Sequence, residues 1–314
     1  SRGLGDVYKR QHHFPSLTKG YLTAAGKLIK SLFTTQHGKR EFSGLPKQKF
    51  VFKNYRLHAD DVVRYERNTE TSDSGFLPLT YLYLVAFPMV IHLLTQREFP
   101  YIPAGIVHLY NRIRRYRKIN KNAVIDLHVY ADNLREHRSG MLMDVVTEVY
   151  ENGDLVWEQV SSMLHRQKTS LSNTPPEPTP DTKHGELYNQ ETVSADKKII
   201  RTFAAISGDR NPIHMSALTA KLFGFPQMIA HGSWMMSRIL ASTDKKLPEH
   251  CIYEIAFGKP FLVPGKAQLF IHRTRDNWGY SLEKTEKNRL ILAGAVYPPE
   301  QDKAVSYTHL TLPT

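Results

Sequence analysis

Apolar residues recur at helical spacing and then alternate at strand spacing, and this order appears twice along the chain. Residues 50–57 alternate and predict a strand, and residues 60–68 predict a short helix. Residues 77–94 are apolar almost throughout, long enough to raise a membrane span. Pro88 and His92 interrupt the run and strand-like segments follow directly, so it reads as a helix buried on all sides. Segments 106–113, 123–131, 141–150 and 155–164 predict strands of an antiparallel meander, parted by the turn signals 120–122, Ser139-Gly140 and Asn152-Gly153-Asp154.

The pattern then breaks. Residues 169–184 hold Pro175, Pro176, Pro178 and Pro180 among hydroxyl and charged side chains, which build no core and favour an extended spacer. Beyond it, 192–197 reads as a leading turn, 198–207 as a short helix, 216–223 as a helical turn and 233–240 as an apolar helix. Strands are expected at 251–261, 266–274, 279–287 and 289–297. Residues 106–113 before Arg117-Lys118 echo 252–257 before Gly258-Lys259, a weak internal repeat.

Both ends stand apart. Residues 6–11 can be encoded GAT GTG TAT AAG AGA CAG, and the frame-shifted reverse complement of that DNA reads Val305, Ser306, Tyr307, Thr308, His309. Residues 1–11 and 305–314 therefore resemble translated sequencing adaptors. Segment 12–49 opens with Lys19, Lys27, Lys30, Lys39 and Arg40 and no acid up to Arg40, on a helical stripe from Leu17 to Phe33. A basic amphipathic helix packed on the body is expected there, ahead of a membrane-surface helix or an organellar transit peptide. The expected division is a first α+β domain at 50–168, a linker at 169–184 and a second domain at 185–304.

Charge and cysteine narrow the picture modestly. The formal net charge of +12 suits an anionic ligand, an acidic carrier protein or nucleic acid. No recognised nucleic-acid motif accompanies the densest basic run, Arg112, Arg114, Arg115, Arg117 and Lys118, so a solvated strand face is expected there and no nucleic-acid partner. The single cysteine, Cys251, excludes an internal disulfide framework and agrees with a reducing cytoplasm. No His/Cys/Asp/Glu cluster has metal spacing, and no phosphate-cradling loop remains once the adaptor is set aside, so neither metal nor cofactor is expected.

Candidate chemistry concentrates between Phe203 and Gly232. Asp209 and His214 flank Asn211-Pro212, and proline disfavours helix for the residue before it. Both ionisable side chains then sit on a turn, where residues five apart converge. Gly232 stands where a helix begins, with a free backbone N–H and no side chain over it. An acid and a base facing such an N–H are the parts needed to add water across a polarised double bond. Asp and Asn are also ordinary turn residues, but the longer pattern weighs toward a catalytic site.

That pattern is Phe203, Ile206, Ser207, Gly208, Asp209, Asn211, Pro212, Ile213, His214 and Ala220, followed by His231-Gly232. It resembles the MaoC-like (R)-specific enoyl-CoA hydratase/dehydratase family. The resemblance implies an α+β fold of two hotdog units, each an antiparallel sheet wrapped around a long helix. The first unit lacks the acid and histidine around residues 75–80, so it is expected to be degenerate. The implied reaction is hydration of 2-enoyl-CoA or 2-enoyl carrier-protein thioesters to (3R)-hydroxyacyl thioesters, and its reverse. Asp209 and His214 would share the proton roles and the Gly232 N–H would bind the thioester oxyanion. Asn211 would fix the loop, His231 would bond backbone, and Ser237 would stand in for a hydroxyl that many members carry where this chain has Leu240. Lys259 and Arg117 are candidates for CoA phosphate, and Val85, with Tyr81 and Met89, for an acyl-chain wall, against the bland reading of ordinary core. A hotdog thioesterase and a non-catalytic acyl-thioester-binding subunit are the alternatives. The first usually carries a carboxylate on its central helix, absent from 233–240; the intact Asp209/His214 pair disfavours the second. A homodimer is left open.

Overall fold

The computed structural model describes residues 8–10, 13–17, 20, 23, 44–103, 106–175, 182, 185–284 and 289–304. Most of the basic segment 12–40, and all of 305–314, lie outside the described residues. In chain order the first elements are β1 (Tyr8–Arg10), β2 (Lys49–Arg56), α1 (Ala59–Thr69), α2 (Tyr81–Leu94) and β3 (Ile106–Arg115). Next come β4 (Val124–His137), β5 (Gly140–Glu151), β6 (Asp154–Arg166), β7 (Glu186–Ala195) and α3 (Lys197–Ser207). Then follow α4 (Ala217–Leu222), α5 (Gly232–Arg238), β8 (Cys251–Phe257), β9 (Gly265–Arg273), β10 (Trp278–Lys284) and β11 (Arg289–Tyr297). Among the described residues no helix is long and apolar enough to cross a membrane.

The chain forms two compact units that interleave in sequence. One gathers the residues up to Arg56, Val85–Leu109 and Val124–Thr174; the other gathers Leu57–Leu84, Tyr110–Ala123 and the chain from Pro175 onward. In the first, strands run β1-β2-β4-β5-β6, antiparallel apart from the β1–β2 pair. Phe50, Leu127, Val129, Val149 and Trp157 bury on this sheet, and the later turns of α2 bury Met89 and Leu93. Strand β4 runs six residues past the expected end, because Asn133 takes a left-handed conformation (φ 54°) and the Arg135–Asp144 ion pair at 3.0 Å carries a charged segment across the irregularity.

The second unit holds the strand order β3-β8-β11-β10-β9-β7, with Tyr110–Arg115 of β3 paired to β8. Helix α5 lies at its core: Trp234 and Met236 are fully buried, and the Tyr253 hydroxyl on β8 donates to the Met236 carbonyl at 2.7 Å. The helix is seven residues long and continues as turns through Ala241, shorter than the run 233–240 suggested. Residues 192–195 are corrected from a leading turn to the end of β7. Among the described residues that edge strand pairs only with β9, and it buries only Val193 and Ala195 of its side chains, so it leaves almost no apolar alternation to read.

Candidate active site

Helix α3 presents the first half of the site. Asp196 caps it by accepting the Ile199 N–H at 2.7 Å, and Ile200, Phe203, Ala204 and Ser207 form its buried stripe. Gly208 ends the helix in the left-handed region (φ 72°), a conformation that costs glycine little. The chain then turns on local side-chain bonds. The Asp209 N–H donates to Ser207 Oγ at 3.2 Å, the Asn211 N–H to Asp209 Oδ1 at 3.1 Å and the Ile213 N–H to Asn211 Oδ1 at 3.3 Å. Pro212 opens the single 3₁₀ turn that carries His214. Asn211 thus fixes the loop through backbone.

Two histidines face each other behind this turn. His214 Nδ1 lies 2.8 Å from the Ile229 carbonyl, and a carbonyl only accepts, so Nδ1 carries the proton and Nε2 keeps its lone pair. His231 Nε2 donates to the Asp209 carbonyl at 2.9 Å. Its own Nδ1 is buried, with no hydrogen-bond partner among the described residues. The two rings stack at 3.8 Å between centroids and 29° between planes, and Phe203 closes on His231 at 5.2 Å. Burial holds His214 below the ordinary imidazole range, opposed by the Asp209 charge and the Ile229 carbonyl. Burial, then the neighbouring His214, pushes His231 down to about 3. Both rings are therefore neutral at physiological pH.

Asp209, His214 and His231 each bring one ligand-type atom within 4.8 Å of the others, the one such group among the described residues. Each ring already commits one nitrogen to a backbone carbonyl, which leaves His214 Nε2 and His231 Nδ1 as the lone pairs that face this cluster.

Gly232 is the first residue of α5, behind His231 as N-cap. A methyl group there would meet the Phe257 ring at 3.1 Å, so packing as well as backbone access favours glycine. Ser237 is engaged elsewhere: its Oγ donates to the Ser233 carbonyl at 2.7 Å and so accepts from Tyr65, whose hydroxyl also bonds Thr80 Oγ1 at 2.8 Å. Tyr83 went unnoticed in the sequence. Burial raises its hydroxyl pKa, and the Asp209 charge raises it further. Its only signal was a second phenol, two residues after Tyr81, in a mostly apolar run.

The remaining candidates scatter. Lys259 is exposed just past β8, and its N–H bonds the Leu290 carbonyl. Arg117 is half-buried beyond β3. Val85 is buried in α2 and belongs to the first unit, whereas Tyr81 belongs to the second. The basic run is corrected from a solvated face. Arg115 is 5% exposed and donates to the Glu249 and Pro248 carbonyls at 2.9 and 2.6 Å, while Arg112 pairs with buried Glu254 at 3.1 Å. Alternation along β3 turns Arg115 inward onto those carbonyls, while Arg112, on the other face, is satisfied by Glu254, its cross-strand neighbour on β8.

A profile of the MaoC-like domain matches residues 179–291. The 3-hydroxyacyl-thioester dehydratase X of Mycobacterium tuberculosis is 36% identical over 282 residues, covering 90% of this chain and 98% of that protein. A crystal structure of HtdX from M. tuberculosis aligns with a TM-score of 0.70 at 32% identity, over 79% of this chain and 99% of that one. The peroxisomal multifunctional enzyme type 2 of Drosophila melanogaster shares the fold (TM-score 0.62, 14% identity, 91% of this chain and 53% of that one). The fold is the expected α+β hotdog architecture, and the chain belongs to the MaoC-like domain family.

Proposed function

We propose that this chain adds water to 2-enoyl thioesters to give (3R)-hydroxyacyl thioesters, and catalyses the reverse dehydration. The carrying observation is the neutral His214, its Nδ1 proton held by Ile229 and its Nε2 lone pair free to act, on one turn with Asp209. A water held by this pair attacks C3. One member takes its proton, and the other delivers a proton to C2. Charge that builds on the thioester oxygen meets the Gly232 N–H at the start of α5, a contribution typically of a few kcal/mol. The similarity to a 3-hydroxyacyl-thioester dehydratase supports the same substrate class here.

In this reading the acyl group arrives on CoA or on a carrier protein, with Lys259 and Arg117 as phosphate contacts and Val85 on the acyl-chain side. In sequence, residues 185–304 hold the catalytic hotdog repeat and 50–168 its degenerate counterpart, with Leu57–Leu84 and Tyr110–Ala123 packing in the catalytic unit. The enzyme is cytoplasmic, in keeping with its free, buried Cys251. Configuration is tested by hydrating crotonyl-CoA and coupling the product to (R)- and (S)-specific 3-hydroxyacyl dehydrogenases. Turnover only with the (R)-specific enzyme is expected; turnover with the (S)-specific one contradicts the assignment.

A further inference from the structure

Helix α1 comes from the half expected to be degenerate, yet it packs in the catalytic unit between the two helices that build the site. Asn68, in its last turn, touches both. Its Nδ2 donates to the Ile199 carbonyl in the first turn of α3 at 3.1 Å, and its own carbonyl accepts the Trp234 indole N–H of α5 at 3.4 Å. One turn earlier, the Tyr65 hydroxyl bonds Ser237 of α5 while its ring lies 6.3 Å from Phe203 of α3. Just past the helix, Glu70 pairs with Arg238 of α5 at 2.7 Å. On the catalytic side α3 and α5 meet again, where His231 at the head of α5 donates to Asp209 just beyond α3.

We propose that Asn68 is a positioning residue for the reaction, setting the spacing of α3 against α5 and so the distance from the Asp209–His214 turn to the Gly232 N–H. Three features carry this. Asn68 is the residue of α1 that hydrogen-bonds α3 with its side chain and α5 with its backbone. Its partners are rigid: Ile199 O belongs to a capped helix turn, and Trp234 is 1% exposed. Finally, α3 is a lever about 12 Å long from Ile199 to Ser207 at 1.5 Å per residue, so a shift at the Asn68 end is delivered to Asp209. Displacement of reacting groups by ~1 Å can cost ~10²-fold in rate.

The inference rests on the proposed hydration, so its test carries one readout that does not. Asn68→Asp keeps the shape but cannot donate to Ile199; Trp234→Phe keeps a ring but removes the other bond. Each is expected to lower kcat for enoyl-CoA hydration roughly tenfold or more with KM within about threefold, measured well below Tm. In parallel, NMR of ¹⁵N-histidine-labelled protein should show the slowly exchanging His231 Nε2 proton in wild type and its loss or fast exchange in both variants. Variants with lower Tm but unchanged kcat and an intact His231 proton overturn the proposal and leave Asn68 merely structural. If wild type hydrates nothing, the functional reading fails, and the His231 proton alone decides the positioning: lost in the variants supports it, retained overturns it.

Discussion

His231 donates its Nε2 proton to the backbone carbonyl of Asp209 at 2.9 Å, and so ties the head of α5 to the turn that carries Asp209 and His214. The same ring lies flat on His214 at 3.8 Å. One buried neutral imidazole therefore holds the position of both proposed proton carriers without itself exchanging a proton.

Removing either proton carrier should stop the chemistry without unfolding the protein. Asp209→Asn and His214→Ala are each expected to lower kcat by about a hundredfold or more, the usual scale for a lost acid or base. Far-UV circular dichroism should match wild type, because both residues sit on a loop capped by Asn211. Near-full activity in either variant removes that residue from the mechanism.

The His231 environment predicts an acid-side loss of stability. Its folded pKa of about 3 lies below the unfolded imidazole value of about 6.5. Between these values the unfolded chain binds the extra proton, so this contribution is present above pH 6.5 and is lost as pH falls toward 3. His214 is shifted the same way. Urea midpoints of wild type and His231→Phe should therefore differ most near pH 7.5 and converge by pH 4.5. A gap that stays constant with pH contradicts a neutral His231.

Much of this site was legible beforehand, because its geometry is local. Gly208, the Asn211 cap and Pro212 act within a few residues of Asp209 and His214, and each leaves a mark in the sequence. The inward turn of Arg115 left none, since its partners Pro248 and Glu249 lie over 130 positions away. Edge strand β7 was misread because only Val193 and Ala195 need to be apolar. The role of α1 was hidden for the first reason: Asn68 is bound 131 and 166 positions downstream.

Gly232→Ala should act mainly through Phe257. The added methyl would lie 3.1 Å from that ring, tighter than carbon contacts tolerate without movement. A roughly tenfold fall in kcat is expected, with substantial recovery in Gly232→Ala/Phe257→Leu, since the N–H remains. No recovery would mean that the methyl obstructs substrate rather than protein.

Val85→Phe separates wall from core. If this part of α2 borders the acyl chain, long enoyl-CoAs should lose far more kcat/KM than crotonyl-CoA. Equal losses across chain lengths, tracking a lower Tm, would leave Val85 as core, as its 7% exposure also allows.

Following the enoyl absorbance of crotonyl-CoA and a longer enoyl-CoA, with a thiol reagent present in the same cuvette, tests the central claim. Absorbance should fall with wild-type protein while no free thiol appears, and Asp209→Asn should abolish the change. Thiol release without loss of the enoyl chromophore would contradict the account and identify a thioesterase.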